Sequence, residues 1–95
     1  MLILNVTYQV KKGMRQAFYD KLVEMQVPKL SREEDGNIAY EYFFHVEDED
    51  CLFLLEKWQD DEAFDRHCKS EHFLALQEVK GEYLESSDLQ KYYTK

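Results

Sequence analysis

Residues 2–10 place apolar side chains at every second position. Beyond Ile3 the second face is polar, whereas five apolar side chains share the first face: Leu2, Leu4, Val6, Tyr8 and Val10. Strict alternation of this kind predicts a half-buried β-strand over residues 2–10. The sequence Lys11-Lys12-Gly13 is a turn signal, so we expect the strand to end there.

From residue 14 the hydrophobic period changes to that of a helix. Apolar side chains recur every three or four positions, at Met14, Phe18, Leu22 and Met25. This stripe predicts an amphipathic helix on the core, and its edge is suited to line a pocket for an aromatic substrate. We expect the helix to kink or restart at Pro28, which lacks a backbone N–H, and to stop at Asp35-Gly36-Asn37.

The second half of the chain is predicted to contain two strands, a helical region and a final strand. Residues 38–46 and 51–59 both read as strands, and the short acidic loop between them predicts an antiparallel pair. Asp60 and Ser70 are residues suited to cap helix N-termini. The inner face of the second helix carries Phe73, Leu76, Val79 and Tyr83. Residues 88–94 are predicted to form a short final strand.

The order β-α-β-β-α-β predicts an α+β fold, a ferredoxin-like subunit with an antiparallel sheet and helices on one face. Phe43 and Phe53 fall on the opposite face of that sheet. An apolar second face requires a cover, and no residues of the chain remain to provide one. A homodimer that packs sheet against sheet is therefore expected.

Length, charge and cysteine content exclude several classes of protein. A chain of 95 residues fits a single domain, residues 1–95, and its net charge of −8 argues against nucleic acid and against a basic membrane-binding face. The longest apolar run has four residues, which is far too short to span a membrane. Two cysteines without CxxC spacing and no visible secretory signal favour a cytoplasmic protein with reduced thiols.

Glu56 is the first candidate for acid–base chemistry. It shares a strand face with Leu54 and Trp58, and a carboxylate among apolar neighbours should have a raised pKa that suits proton transfer. The alternative is that Glu56 lies near the strand end and pairs with a lysine or a backbone N–H. Trp58 itself reads as core or as a pocket wall.

Two histidines are further candidates. His67 falls on the apolar side of its helix, where it is either a base for a phenolic substrate or a satisfied buried histidine. His72 follows the Ser70 cap, and it is either a catalytic residue or a histidine that faces solvent. The two are five residues apart, which is not the i, i+4 spacing of a helical zinc pair, so no metal site is predicted. Asn5 and Thr7 are the polar residues of the first strand and suit either a substrate or a dimer contact.

Several segments together resemble one known family. They are Val10-Lys11-Lys12-Gly13, Glu34-Asp35-Gly36, Tyr40-Glu41, Leu55-Glu56-Lys57-Trp58-Gln59-Asp60-Asp61-Glu62-Ala63, His67 and Ser70-Glu71-His72-Phe73. This ordered set resembles the antibiotic biosynthesis monooxygenase domain family, and within it the quinol monooxygenase-like proteins. The resemblance implies ferredoxin-like subunits that pair into a dimeric α+β barrel and oxidise hydroxylated aromatics with O2, without a metal or flavin.

On this basis we expect a cofactor-independent monooxygenase whose partners are a small quinol-like or polyphenolic aromatic and O2. The expected catalytic residues are His67, His72 and Glu56. The expected substrate-binding residues are Asn5, Thr7, Trp58, Phe18, Leu22 and Phe73.

Two alternatives stay open: an isomerase of a small phosphorylated hydroxyketone, and a non-catalytic dimer that binds an aromatic ligand. The family is also similar to haem-degrading enzymes, but this function is disfavoured. Asn5 fits the first-strand asparagine of that branch, whereas the tryptophan position is His67 and the haem-ligand position falls near Leu76 or Gln77.

Overall fold

The computed structural model describes residues 1–94 as a four-stranded antiparallel sheet with helices packed on one face. The strand order is β2-β3-β1-β4. In chain order the elements are β1 (Leu2–Val10), α1 (Arg15–Glu24), α2 (Val27–Arg32), β2 (Asn37–Phe44), β3 (Cys51–Trp58), α3 (Asp61–Cys68), α4 (Glu71–Val79), a 3₁₀ turn (Lys80–Glu82) and β4 (Leu84–Tyr93). The predicted ferredoxin-like α+β fold is confirmed.

The register of the sheet sets which side chains face the helices. On β1, Leu4 pairs with Glu56 of β3 on one side and with Lys91 of β4 on the other. Glu56 pairs in turn with Tyr40 of β2. Paired residues of antiparallel strands share a face, so this row points towards the helices. Glu56 consequently lies in the interior of the sheet, between two neighbouring strands.

The core fills the space between this sheet face and the helices. Phe18 and Leu22 of α1 are completely buried, and the Phe18 ring packs against the rings of Tyr8 and Tyr83, with centroids 5.4 Å away in both cases. Phe18 and Leu22 were expected to border a substrate pocket, but they are core residues. The apolar face of α1 packs against the sheet and leaves neither side chain exposed. No helix within residues 1–94 is long and apolar enough to cross a membrane.

The first helical region breaks and restarts as expected, with the break at Gln26, two residues before Pro28. Gln26 adopts a left-handed conformation with φ of 60°, and α2 then begins at Val27. Pro28 is the second residue of the new helix, where its missing N–H removes no hydrogen bond because the first four N–H groups of a helix have no partner within it.

The second strand ends earlier than the apolar pattern suggests. β2 stops at Phe44, and Val46, predicted to belong to it, is 98% exposed. The side chain of His45 causes the turn: its Nδ1 accepts hydrogen bonds from the N–H groups of Glu47 and Asp48, both at 3.0 Å. These local bonds replace the ladder bonds that a longer strand would need.

The last strand begins earlier than predicted. β4 starts at Leu84 and not at residue 88, and Tyr83, expected on the helix, follows the 3₁₀ turn. The early part of this strand contains Ser86 and Ser87, so it shows no apolar alternation. It forms because β1 offers ladder partners along its whole length, from Leu2 to Val10.

We predict that Gly36→Ala destabilises the protein more than Gly13→Ala. Both glycines have positive φ, at 88° and 75°, so alanine costs about 1–2 kcal/mol at either site. At Gly36 a new Cβ would lie 2.5 Å from the Cβ of Ala63, whereas at Gly13 nothing lies within 4 Å. Overpacking adds about 1–3 kcal/mol at Gly36. Urea unfolding of both variants measures the difference, and equal losses would contradict it.

Candidate active site

Two helix caps fix the position of the histidines. The Asp60 carboxylate accepts a hydrogen bond from the N–H of Ala63 at 2.9 Å, which starts α3. Ser70 Oγ accepts from the N–H of Phe73 at 3.3 Å and donates to the carbonyl of His67 at 2.6 Å. The caps thus join the end of α3 to the start of α4, and the predicted roles of Asp60 and Ser70 as caps are confirmed. His67 and His72 lie on either side of this junction.

Glu34 connects the two histidines. It lies in the loop between α2 and β2, and its Oε2 atom lies 2.5 Å from His67 Nδ1 and 3.0 Å from His72 Nε2. A carboxylate can only accept hydrogen bonds, so each of these ring nitrogens donates. The neutral form of His67 then carries its proton on Nδ1, and its Nε2 lone pair is free.

His67 is buried in a box of aromatic rings. Its side chain is 1% exposed. Its ring centroid is 4.8 Å from that of Trp58 and 5.2 Å from that of Phe73. Burial lowers the pKa of His67, and the hydrogen bond to Glu34 opposes this change. The arrangement favours a neutral imidazole that a nearby carboxylate can stabilise on protonation.

Glu56 lies on the far side of the same ring. Its Oε1 accepts a hydrogen bond from Trp58 Nε1 at 3.0 Å and lies 3.9 Å from His67 Nε2. Burial is the main reason that the pKa of Glu56 is raised to about 7, and the negative charge of Glu34 adds to this, while the Trp58 N–H opposes it. The raised pKa expected from the apolar surroundings is therefore found, and the partner of Glu56 is the tryptophan of its own strand.

A cavity of about 160 Å³ opens between α4 and the sheet, in front of Glu56. Its lining combines apolar and aromatic side chains, Val6, Tyr8, Phe64, Phe73 and Leu89, with four polar ones, Glu56, Gln77, Lys80 and Ser87. Glu56 is the one carboxylate in this wall. Neither His67 nor His72 lines the cavity; Phe64 and Phe73, which do, pack against the His67 ring. A larger cavity of about 260 Å³ lies near Gly13, Arg15 and Asp50, and none of the predicted site residues lines it.

The remaining predicted substrate contacts divide between three places. Phe73 lines the cavity in front of Glu56. Trp58 is completely buried and holds Glu56 from behind. Asn5 and Thr7 pair with Leu55 and Phe53 on the face away from the helices, so their side chains do not reach this cavity. The strand alternation that makes them polar also sends them to the other side of the sheet.

Glu34 is the residue that the sequence reasoning did not select. It lies 33 residues from His67 and 38 from His72 in the chain, so no local spacing connects it to them. Its segment Glu34-Asp35-Gly36 was one of the segments that carried the family resemblance, and this was the available signal. Tertiary structure brings the three side chains together.

Glu34, His67 and His72 are also the one group within residues 1–94 that brings three potential metal-ligating side chains together, with ligand atoms within 4.8 Å of one another. Tetrahedral nitrogen and oxygen ligands at about 2.0–2.1 Å from zinc are roughly 3.3 Å apart. The two contacts of Glu34 Oε2, at 2.5 and 3.0 Å, are shorter than this. The spacing fits hydrogen-bonded side chains, and the group would have to open to hold an ion.

We predict that Glu56→Gln makes stability less dependent on pH. The pKa of Glu56 is raised in the folded state, so its contribution to stability is complete below pH 4.5 and is lost as the pH rises through about 7. The loss is on the order of 3 kcal/mol. Glutamine keeps the acceptor for Trp58 and carries no charge, so the variant should be the more stable protein above pH 7. Thermal unfolding from pH 4 to 9 tests this, and parallel curves for both proteins would contradict it.

Known proteins resemble this chain along nearly all of its length. The family model described as "Antibiotic biosynthesis monooxygenase" matches residues 1–79. A relative from Bacillus subtilis, "Putative monooxygenase YcnE", is 33% identical over 89 residues, which cover 94% of this chain and 90% of the relative.

Solved structures share the fold. A protein from Pseudomonas aeruginosa is 28% identical with a TM-score of 0.86, and the match covers 99% of this chain and 93% of that one. A conserved protein from Methanosarcina mazei is 26% identical with a TM-score of 0.86, covering 99% and 92%. The chain belongs to the antibiotic biosynthesis monooxygenase family.

Proposed function

We propose that the protein is a cofactor-independent monooxygenase that oxidises a small quinol-like or polyphenolic aromatic with O2. One observation carries this proposal: Glu56 is the one carboxylate in the wall of a cavity that Phe64 and Phe73 line with aromatic rings. Membership of the family supports a monooxygenase reaction in general terms. The hydroxylated aromatic substrate follows from the chemistry that this wall can perform.

The size of the cavity suits one aromatic ring. An apolar cavity of about 150 Å³ is large enough to bind benzene, and the space in front of Glu56 is about 160 Å³. Phe64 and Phe73 offer ring faces and edges for an aromatic ligand. A hydroxyl group on the ligand would find Glu56 as its hydrogen-bond acceptor.

Glu56 is the base in this proposal. A group whose pKa is about 7 is partly ionised at neutral pH, which is the condition under which a general base is most effective. The sequence favoured His67 or His72 as the base, with Glu56 nearby. Because Glu56 lines the cavity and the histidines do not, its position supports Glu56 as the base and the histidines as residues that act through it.

The reaction balances with O2 as the oxidant. Glu56 takes the hydroxyl proton, and the electron-rich phenolate transfers one electron to O2, giving a phenoxyl radical and superoxide. These recombine at a ring carbon that carries hydrogen, forming a C–O bond and a peroxide. Loss of that hydrogen as a proton and cleavage of the O–O bond leave a quinone carbonyl and release the second oxygen as water. The substrate is the reductant throughout.

We predict that metal-free protein, prepared with a chelator, transfers one oxygen atom from ¹⁸O₂ to a one-ring polyphenol. Glu56→Gln should lower the rate of this reaction at least about 100-fold, because general base catalysis contributes a factor of roughly 10²–10⁴. Mass spectrometry of the product measures the transfer. Glu78→Gln is the matched control, because Glu78 lies on α4, the helix beside the cavity, but is exposed. Assays without protein correct for autoxidation.

Equal rates for Glu56→Gln and the parent protein would reject Glu56 as the base. Activity that requires added metal would reject the cofactor-independent mechanism. Saturable binding of the polyphenol without any product would favour the non-catalytic binding dimer.

An isomerase of a phosphorylated hydroxyketone is the second candidate function. Lys80 on the cavity wall supports it, because a phosphate group would need a cation there. Glu56 would then move a proton between carbon atoms, and no oxygen would be consumed. Turnover of such a substrate under argon would favour this candidate over the oxygenase.

We also propose that two chains pack through the sheet face that carries no helices. Phe43 and Phe53 pack together there with ring centroids 6.2 Å apart, and Phe43 is 48% exposed. Asn5 and Thr7 lie on the same face and would then contact the partner chain. A large apolar area open to water is unfavourable, and a second copy of the same face would cover it.

We predict that Phe43→Asp converts the protein from twice the mass of one chain to the mass of one chain, because a buried unpaired carboxylate costs several kcal/mol at an interface. Light scattering after size exclusion measures the mass. Val23→Asp is the control, since Val23 on α1 is also 48% exposed. A parent protein that is monomeric at micromolar concentration would contradict the proposal.

A further inference from the structure

We propose that Glu34 is a positioning residue that holds His67 as a temporary proton store for Glu56. This inference rests on the proposed function, because it assigns a role to the groups behind the proposed base. Three contacts carry it: Glu34 Oε2 with His67 Nδ1 at 2.5 Å, Glu34 Oε2 with His72 Nε2 at 3.0 Å, and Glu56 Oε1 with His67 Nε2 at 3.9 Å.

The first step concerns the orientation of the imidazole. Because Glu34 accepts the proton of Nδ1, the lone pair of neutral His67 lies on Nε2 and faces Glu56. The 3.9 Å contact in the ligand-free protein is too long for a hydrogen bond, and the ionised form of Glu56 that acts as the base has no proton to give. Once Glu56 has taken a proton from the substrate, it becomes a donor. Closure by about 1 Å then makes a hydrogen bond to Nε2, as catalytic contacts often tighten when substrate is bound.

The second step concerns charge. Transfer of the proton from Glu56 to Nε2 turns His67 into an imidazolium ion in a box of aromatic rings. An isolated buried cation is unfavourable, and Glu34 supplies the opposite charge in direct hydrogen-bond contact. This is the role of a carboxylate that orients a histidine and stabilises its charged form. Glu56 is ionised again and is ready for the next proton.

The third step returns the proton. The reaction releases one oxygen atom as water, so the departing oxygen needs the proton that the substrate hydroxyl lost. His67 gives it back through Glu56, and both residues end in their starting forms. No proton has to leave through the protein surface, and the 1% exposure of the His67 side chain protects the stored proton from solvent.

His72 holds Glu34 in this position. Its Nε2–H donates to the same carboxylate oxygen as His67, and Ser70 Oγ lies 3.3 Å from that nitrogen. The cap that starts α4 therefore also orients the carboxylate. The titratable and charged groups that face His67 from its neighbouring elements are Glu34, Tyr40, Glu56 and His72.

The test uses Glu34→Gln, which keeps an oxygen acceptor for both histidines and removes the charge. ¹⁵N NMR of the imidazoles in ligand-free protein should show the Nδ1–H tautomer of His67 in both proteins, and the midpoint of its protonation should lie at least one pH unit lower in Glu34→Gln. In the oxygenase assay kcat should fall at least about tenfold with KM unchanged. Glu34→Asp, which keeps the charge, should recover part of kcat.

Glu33→Gln is the matched control, because Glu33 is the neighbouring residue and pairs only with Lys29 at the surface among residues 1–94. It should leave the His67 midpoint and kcat unchanged. The Nε2–H tautomer of His67 in the parent protein, an unchanged midpoint in Glu34→Gln, or an unchanged kcat would each overturn the proposal. If the parent protein shows no oxygenase activity, the proposed function fails, and the NMR result still decides whether Glu34 controls His67.

Discussion

A buried imidazole between two carboxylates is the constraint on which the rest of the site depends. His67 contacts Glu34 through Nδ1 and faces Glu56 through Nε2. Two acids near one another in an apolar interior repel, and removing each from water is expensive. The imidazole separates them, and the Trp58 N–H supplies one more donor to Glu56. In this arrangement the pKa of Glu56 is about 7, and Glu34 accepts hydrogen bonds from two histidines.

The residues of the site come from different layers of the fold. The sheet carries Glu56 in a row with Tyr40 and Leu4, where both neighbouring strands fix its backbone. The helices carry the histidines, and the loop before β2 carries Glu34. The cavity opens where these layers meet near β4. Because the groups that tune Glu56 lie behind it, a ligand can touch the carboxylate without touching the imidazoles.

Many features of this arrangement follow from local sequence. The alternation from Leu2 to Val10 predicts β1, and the helix caps at Asp60 and Ser70 are confirmed by their hydrogen bonds. The errors occur where local pattern is weak. Ser86 and Ser87 interrupt the apolar alternation of β4, so its first half was not predicted. The side chain of His45 ends β2, although the apolar pattern continues to Val46. In both places hydrogen bonds, and not hydrophobic period, decide the element.

The sequence alone determined the order of strands and helices and the helix-facing position of Glu56, because the periods of two and of 3.6 residues are properties of neighbouring positions. It also marked His67 and His72 as candidates by residue type. Only the tertiary structure decided that Glu34 joins them, that Glu56 and not a histidine reaches the cavity, and that Phe18 and Leu22, predicted to lie on the core, do not also line the cavity. Contacts between residues more than thirty positions apart depend on how the layers pack, and no local pattern encodes that geometry.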